Sequence, residues 1–109
     1  MDIIFGRKNA EKLREKYTVL DLEVVHKDGH DFEVFCLIPA EKIAIQDLPN
    51  LEEWIKLHND FLVGYQNQHY QFCRQCIDEL KGKFGGEVDT FYDEILRRIE
   101  FAEADANQE

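Results

Sequence analysis

The segment of residues 67–80, NQHYQFCRQCIDEL, contains a histidine and two cysteines at spacings that could bind a metal ion or support thiol chemistry. On a helix, His69, Cys73 and Cys76 would lie four and three residues apart, so their side chains would project from one face. A structural zinc site needs four ligands, and the fourth could come only from Cys36 or His58. The segment therefore raises the hypothesis of a small metal- or thiol-dependent protein.

The same helix face has a simpler interpretation as part of the hydrophobic core. It also carries Ile77 and Leu80, and free cysteine is among the most frequently buried residue types. A redox-active cysteine usually stands at the N-terminus of a helix that follows a strand, whereas Cys73 lies about one turn into its helix and follows no strand. We therefore expect Cys73 and Cys76 to be packing residues, with no metal or other cofactor. The site built on His69 and the two cysteines is the alternative.

Other polar clusters lack the arrangement of a catalytic or metal site. His26 and His30 would face each other near a hairpin turn, where exposed histidines are common. The acidic residues of GGEVDTFYDE lack the alternation and the closing glutamate of a calcium-binding EF-hand loop. The chain also has no Gly-rich phosphate loop, no serine nucleophile motif and no spacing typical of a catalytic triad. With the small size of the chain, this favours a binding module over an enzyme.

The charge distribution indicates what kind of partner such a module would bind. The formal net charge is −10, which disfavours sequence-independent binding to nucleic acid phosphates. Residues 7–16 are mildly basic, whereas residues 87–109 contain eight acidic residues and two arginines. Clustered charge steers oppositely charged molecules, so we expect this acidic surface to bind a basic protein or a second copy of the chain. The predicted partner-binding residues are Tyr92, which should be exposed, and Asp93, Glu94 and Glu100.

Length and composition are typical of one globular domain. The chain has 109 residues, of which 44% are hydrophobic, enough for a core that needs no disulfides. It has no apolar run of the roughly 20 residues that a membrane span needs, and its N-terminal sequence lacks the signal-peptide pattern. We expect a cytoplasmic protein with reduced thiols and no membrane contact. Residues 1–101 should form a single α+β domain, and residues 102–109 a frayed acidic tail.

The clearest local signal is a β-hairpin in residues 17–38, where two runs rich in β-branched and aromatic residues flank an Asp-Gly turn. A two-residue loop would place Val24 opposite Glu33, a carboxylate among apolar residues. A three-residue loop instead places His26 opposite His30 and separates the polar and apolar faces better. We therefore predict the three-residue loop, with a positive φ at Gly29.

The remaining elements follow from periodicity and turn residues. Residues 2–5 should be an edge strand, followed by a charged helix after Gly6, and residues 42–46 are a candidate third strand beside the hairpin. Beyond Asn50 the apolar residues recur at helical spacing in three successive helices, the first two of which should be antiparallel neighbours because the connection between them is short. The predicted fold is thus a hairpin or small three-stranded antiparallel sheet packed against three to four helices. The predicted core residues are Trp54, Phe61, Leu62, Ile77, Leu80, Phe91 and Ile95.

Two resemblances accompany this interpretation. The pair of helices around residues 65–80 resembles a single tetratricopeptide repeat. Such repeats have aromatic, small and apolar residues at the positions that are occupied here by Tyr65, Tyr70, Cys73, Ile77 and Leu80. This resemblance implies an antiparallel helix pair. The segments LREKYTVLDLE and GKFGGEVDTFYDEI resemble stretches of small uncharacterised proteins encoded by tailed phages of marine cyanobacteria. That resemblance implies a viral source and carries no activity.

Overall fold

The computed structural model describes residues 1–106 and has the predicted α+β architecture, with a three-stranded antiparallel sheet and four α-helices. The strands are β1 (Asp2–Phe5), β2 (Thr18–Lys27) and β3 (His30–Ile38). The helices are α1 (Arg7–Arg14), α2 (Leu51–Gln66), α3 (Tyr70–Leu80) and α4 (Asp89–Ala106). Short 3-10 helices cover Ala40–Lys42, Ile45–Asn50 and Phe84–Gly86. Because β3 is the central strand, β1 and β2 form the two edges of the sheet.

The turn between β2 and β3 is shorter than predicted. Lys27 lies opposite His30, so the loop consists of Asp28 and Gly29 alone, and the predicted pairing of His26 with His30 is wrong. The two loop residues have φ angles of 53° and 76°. Positive φ at both positions is typical of the type I′ turn, whose twist matches that of the flanking strands. The positive φ predicted at Gly29 is confirmed.

A β-bulge in β2 explains why the alternation of apolar residues favoured the wrong turn. The extra residue at the bulge is Leu22, and it shifts the register by one. Before the bulge Leu20 lies opposite Cys36, as predicted, whereas after it Val24 lies opposite Glu33. The shift keeps both Leu20 and Leu22 buried. The extra residue that shifts the pairing by one position therefore lies within β2 and not in the turn.

The sheet is covered on both faces. On one face, Ala10 of α1 packs against Val19 and Phe35 in a small apolar cluster. The larger core lies on the other face, where buried side chains of β2 and β3 meet α2, α3 and α4. The close approach of α2 and α3 depends on Gly64, because a Cβ atom there would lie 2.9 Å from the ring of Phe72.

Most of the predicted core is confirmed. Five of the seven predicted residues are buried, namely Phe61, Ile77, Leu80, Phe91 and Ile95. Trp54 and Leu62 are only partly buried and pack against the edge of this core. Trp54 lies edge-on to Phe84, with the Lys83 ammonium 5.1 Å from the centre of its ring. The two exceptions therefore border the core.

Two further segments differ from the sequence-based picture. Residues 42–46 form no strand and belong to the connection between β3 and α2, which contains two of the 3-10 helices. The third strand of the sheet is instead β1, which pairs with β3. At the other end, α4 continues to Ala106, into the segment for which a frayed tail is predicted, and residues 107–109 lie outside the described residues. No helix within residues 1–106 has the length and apolar character needed to cross a membrane.

Candidate functional site

A buried hydrogen-bonded cluster of Asp21, His58 and Tyr92 connects β2, α2 and α4 beneath the sheet edge, and we call it the polar joint. His58 of α2 and Tyr92 of α4 are both 0% exposed. The Nδ1 atom of His58 lies 2.9 Å from the hydroxyl of Tyr92, and its Nε2 atom lies 2.6 Å from the carbonyl oxygen of Asp21. Tyr92 is therefore not the exposed partner-binding residue that the sequence analysis predicted, and that assignment is wrong. Tyr92 lies with Phe91 and Ile95 on the buried face of α4, so its place in the apolar pattern of this helix is that of a core residue.

The partners of His58 fix its tautomer. A carbonyl oxygen can only accept, so Nε2 carries the proton and donates to Asp21. Nδ1 is then the acceptor for the Tyr92 hydroxyl, which donates to it. Burial lowers the pKa of His58 from its ordinary value, although the hydrogen bond to Asp21 acts in the opposite direction. Burial also raises the pKa of Tyr92. Both side chains are therefore neutral at pH 7, and the joint contains no unpaired charge.

The lowered pKa of His58 makes stability depend on pH in the mildly acidic range. The unfolded chain gains a proton on this histidine near pH 6.5, whereas the folded chain gains it only at lower pH. Between those two values the unfolded state binds more protons. The free energy of unfolding should therefore decrease as the pH is lowered through this range, by up to about 1.4 kcal/mol per pH unit. Urea unfolding at a series of pH values from 7 downward would measure this slope.

The matched control for that measurement is His58→Gln, which keeps an N–H donor for Asp21 but has no group that titrates. Stability of this variant should depend less steeply on pH between the pKa of the folded histidine and pH 6.5. An identical slope in both proteins would assign the pH dependence to other groups.

The cysteine residues are enclosed by the core. Cys36, Cys73 and Cys76 are all free and buried, and burial raises the pKa of Cys36 and Cys76 to about 11. Such thiols are protonated at pH 7 and poorly nucleophilic. His69 is exposed and directly precedes the first residue of α3. Within residues 1–106 there is no group of three or more His, Cys, Asp or Glu side chains arranged to hold a metal ion.

The acidic surface of α4 is partly neutralised by neighbouring cations. Asp93 accepts a hydrogen bond of 2.5 Å from Lys81, and this bond raises the pKa of the lysine. Glu94 pairs with Arg97 and Arg98 of its own helix. Glu100 is exposed on the same helix. The three predicted carboxylates thus lie on one element, but two of them already have partners, so their attraction for a distant basic surface is reduced.

A groove lies between β2 and the C-terminal half of α2. Its volume is about 560 Å³. Leu22, Val24 and His26 line it from β2, and Asn59, Val63 and Gln66 line it from α2. Two apolar side chains are unusually open to solvent there, since Val24 is 47% exposed and Val63 is 56% exposed. We refer to this feature as the β2 groove.

The backbone of β2 faces the β2 groove with unpaired hydrogen-bonding groups. Lys27 and His30 flank a two-residue turn and form a hydrogen-bonded pair, so the alternation of an antiparallel ladder directs the N–H and C=O groups of Val24 and His26 outward. On the far side of the bulge, the outward carbonyl of Asp21 is occupied by His58 and that of Val19 by Arg14. Within residues 1–106 no comparable protein group bonds to the outward edge at Val24 and His26.

The polar ends of the β2 groove are formed by ion pairs. Arg98 of α4 donates to Glu23 at 3.3 Å and to Glu94 at 3.2 Å. At the other side, Arg7 of α1 bonds to Glu33 at 2.6 Å. These charged groups link the groove to the acidic face of α4 and to the basic first helix. Because each cation is exposed or half-exposed, these pairs can exchange partners at small energetic cost.

Sequence reasoning missed the β2 groove because its formation depends on tertiary structure. The groove requires β2 to be an edge strand, but the strand order follows from the pairing of residues 2–5 with β3, which no local pattern specifies. One available signal was Val24-Val25, two adjacent β-branched residues of which one must leave the core face. The burial of Tyr92 was likewise implied by its place in the apolar stripe of α4.

Comparison with protein-family models, with curated proteins and with solved structures found no match to this chain. The function must therefore be argued from the geometry of the molecule itself.

Proposed function

We propose that this protein is a small acidic interaction module without enzymatic activity, and that it binds a basic partner protein through the β2 groove. The observation that carries the proposal is the open edge of β2 at Val24 and His26, which lies beside the exposed Val63 and the partly buried Leu62 of α2. Exposed strand edges attract other chains, and folded proteins usually cover them. An edge left open beside an apolar wall is therefore suited to recognition.

A basic partner is supported by the charge of the molecule. The net charge is −10 over 109 residues. The walls of the β2 groove include three carboxylates, Asp21, Glu23 and Glu33, each paired with a partly exposed arginine that a cation of the partner can replace. Glu94 and Glu100 extend the acidic character along α4, and Glu94 is linked to the groove through Arg98. Such a field speeds the approach of a basic surface, and salt of physiological strength screens it over roughly 8 Å.

The test compares two charge substitutions at exposed apolar residues. Val63→Lys places an ammonium group in the groove wall, where it would repel a basic segment, whereas Ile45→Lys makes the same change at a site that is 83% exposed and lies outside the groove lining. Both variants and the natural protein would be used for chemical cross-linking in cell extract at low and moderate salt. We expect a basic protein that is captured by the natural protein and by Ile45→Lys but not by Val63→Lys, and we expect its capture to weaken as salt rises.

Two results would contradict the proposed function. Equal capture by both variants would show that the partner does not bind at the β2 groove. Recovery of only cross-linked copies of the protein itself would show that it self-associates and would contradict a basic partner protein.

A further inference from the structure

We infer that the β2 groove binds its partner by strand addition: a basic, extended segment of the partner pairs with β2 and becomes the fourth strand of the sheet. This inference rests on the proposed function and specifies how the partner is recognised. It follows from three features, namely the direction of the unpaired backbone groups, the position of α2, and the charge of the groove walls.

Within residues 1–106, the outward carbonyls of β2 that lack a protein partner lie in its outer half. Asp21 and Val19, on the inner half, have their outward carbonyls bonded to His58 and Arg14, so this part of the edge is already covered. Val24 and His26 together present two N–H and two C=O groups at the spacing of an antiparallel ladder. A flat apolar ligand would leave these groups unsatisfied, whereas an extended backbone satisfies all of them.

Helix α2 provides the second wall for such a strand. An added strand lies about 4.8 Å from its neighbour in the sheet, which places it between β2 and the side chains of Asn59, Val63 and Gln66. Successive side chains of a strand point to opposite faces. Some therefore meet apolar groups such as Val63 and Leu62, and the others meet the carboxylates of the groove. The matching sequence alternates apolar and basic residues.

The charge of the molecule distinguishes this occupant from a second copy. Two copies would each bring a net charge of −10, and their like charges would repel. A lysine or arginine of the incoming segment can instead replace Arg98 at Glu23, an ion pair of 3.3 Å with a partly exposed cation. The structure thus favours a basic partner segment over self-pairing.

A synthetic peptide can test the inference. The probe is a peptide of about ten residues, a common strand length, in which valine and lysine alternate, and its charge control has glutamate in place of lysine. Binding to the natural protein would be followed by amide hydrogen exchange detected by NMR. We expect the lysine peptide to slow exchange at the amides of Val24 and His26. The amides of Ile3 and Phe5, which face outward on the opposite edge strand β1, provide an internal control.

Proline substitutions at the two edges provide a matched pair of variants. Val24→Pro removes an outward N–H without touching the ladder to β3, and Ile3→Pro does the same on β1. Affinity for the lysine peptide should fall by about tenfold or more in Val24→Pro, equivalent to the loss of roughly one hydrogen bond. It should be unchanged in Ile3→Pro. If Val24→Pro does not fold, strand addition is tested by the hydrogen-exchange measurement on the natural protein alone.

The outcomes separate this inference from the proposed function. Peptide binding without protection at Val24 and His26, or equal affinity for the glutamate peptide, would overturn strand addition by a basic segment. Failure of the lysine peptide to bind would overturn it as well. In each case the capture experiment with Val63→Lys tests independently whether the β2 groove binds a protein.

Discussion

Truncation of Phe61 to alanine should lower the free energy of unfolding by about 3 to 5 kcal/mol, the range found for buried phenylalanine. Phe61 is 0% exposed and lies at the centre of an aromatic cluster. Its ring is 5.6 Å from that of Tyr92 and 5.9 Å from that of His58, measured between ring centres. Its removal would create a cavity beside the polar joint, and the surrounding rings can only partly fill it. Denaturant unfolding monitored by circular dichroism would measure the change.

The comparison for this variant is Trp54→Ala. The sequence places both residues in the core, but Trp54 is only partly buried at its edge. Although tryptophan is larger, a smaller fraction of its side chain is buried, so its truncation leaves a less enclosed cavity and should cost less than that of Phe61. A loss for Trp54→Ala equal to or larger than that for Phe61→Ala would contradict the arrangement of the core described above.

Replacement of Gly85 by alanine should destabilise the protein by about 3 kcal/mol, the sum of a left-handed backbone and an overpacked contact. Gly85 has φ of +66°, and a Cβ atom there would lie 2.3 Å from the backbone carbonyl oxygen of Lys42. Because the obstacle is backbone, it cannot rotate away. The turn at Phe84–Gly86 would have to separate from the connection that follows β3, and the ring of Phe84 is part of the core.

Gly82→Ala is the matched control for this prediction. Gly82 has φ of +85°, but nothing lies within 4 Å of a Cβ atom built there. Its substitution therefore carries the backbone strain alone, which costs about 1 to 2 kcal/mol. The difference between the two variants in thermal or denaturant unfolding isolates the contact with Lys42. Equal losses would show that residues 84–86 can move away from Lys42 without cost.

The fold class, the helices and most of the core were predictable because they depend on local patterns. Apolar residues at helical spacing placed Phe61, Ile77 and Ile95 correctly, and the Asp-Gly pair located the turn of the hairpin. The register was predicted correctly up to Asp21 and incorrectly beyond it. A bulge and a longer turn produce the same one-residue shift in the pattern, so alternation alone cannot distinguish them.

The candidate site was less predictable, since it depends on which surfaces remain uncovered. The prediction for α4 considered charge and overlooked the cations nearby in space: Lys81 lies twelve positions from Asp93 in sequence yet bonds to it. The role of His58 could be suspected from a polar residue within an apolar stripe. Its partners could not, because Asp21 and Tyr92 are 37 and 34 positions away.

Those long separations have a consequence for the order in which the chain folds. The β2–β3 hairpin closes through a two-residue loop, so it can form early and by itself. The joint of Asp21, His58 and Tyr92 needs the hairpin, α2 and α4 together, and closing such distant contacts carries the larger entropic cost. Until α4 docks, Nδ1 of His58 lacks the Tyr92 hydroxyl, and its hydrogen bond must come from water instead. The final drying of the interior and the docking of the last helix should therefore occur as one late, cooperative step.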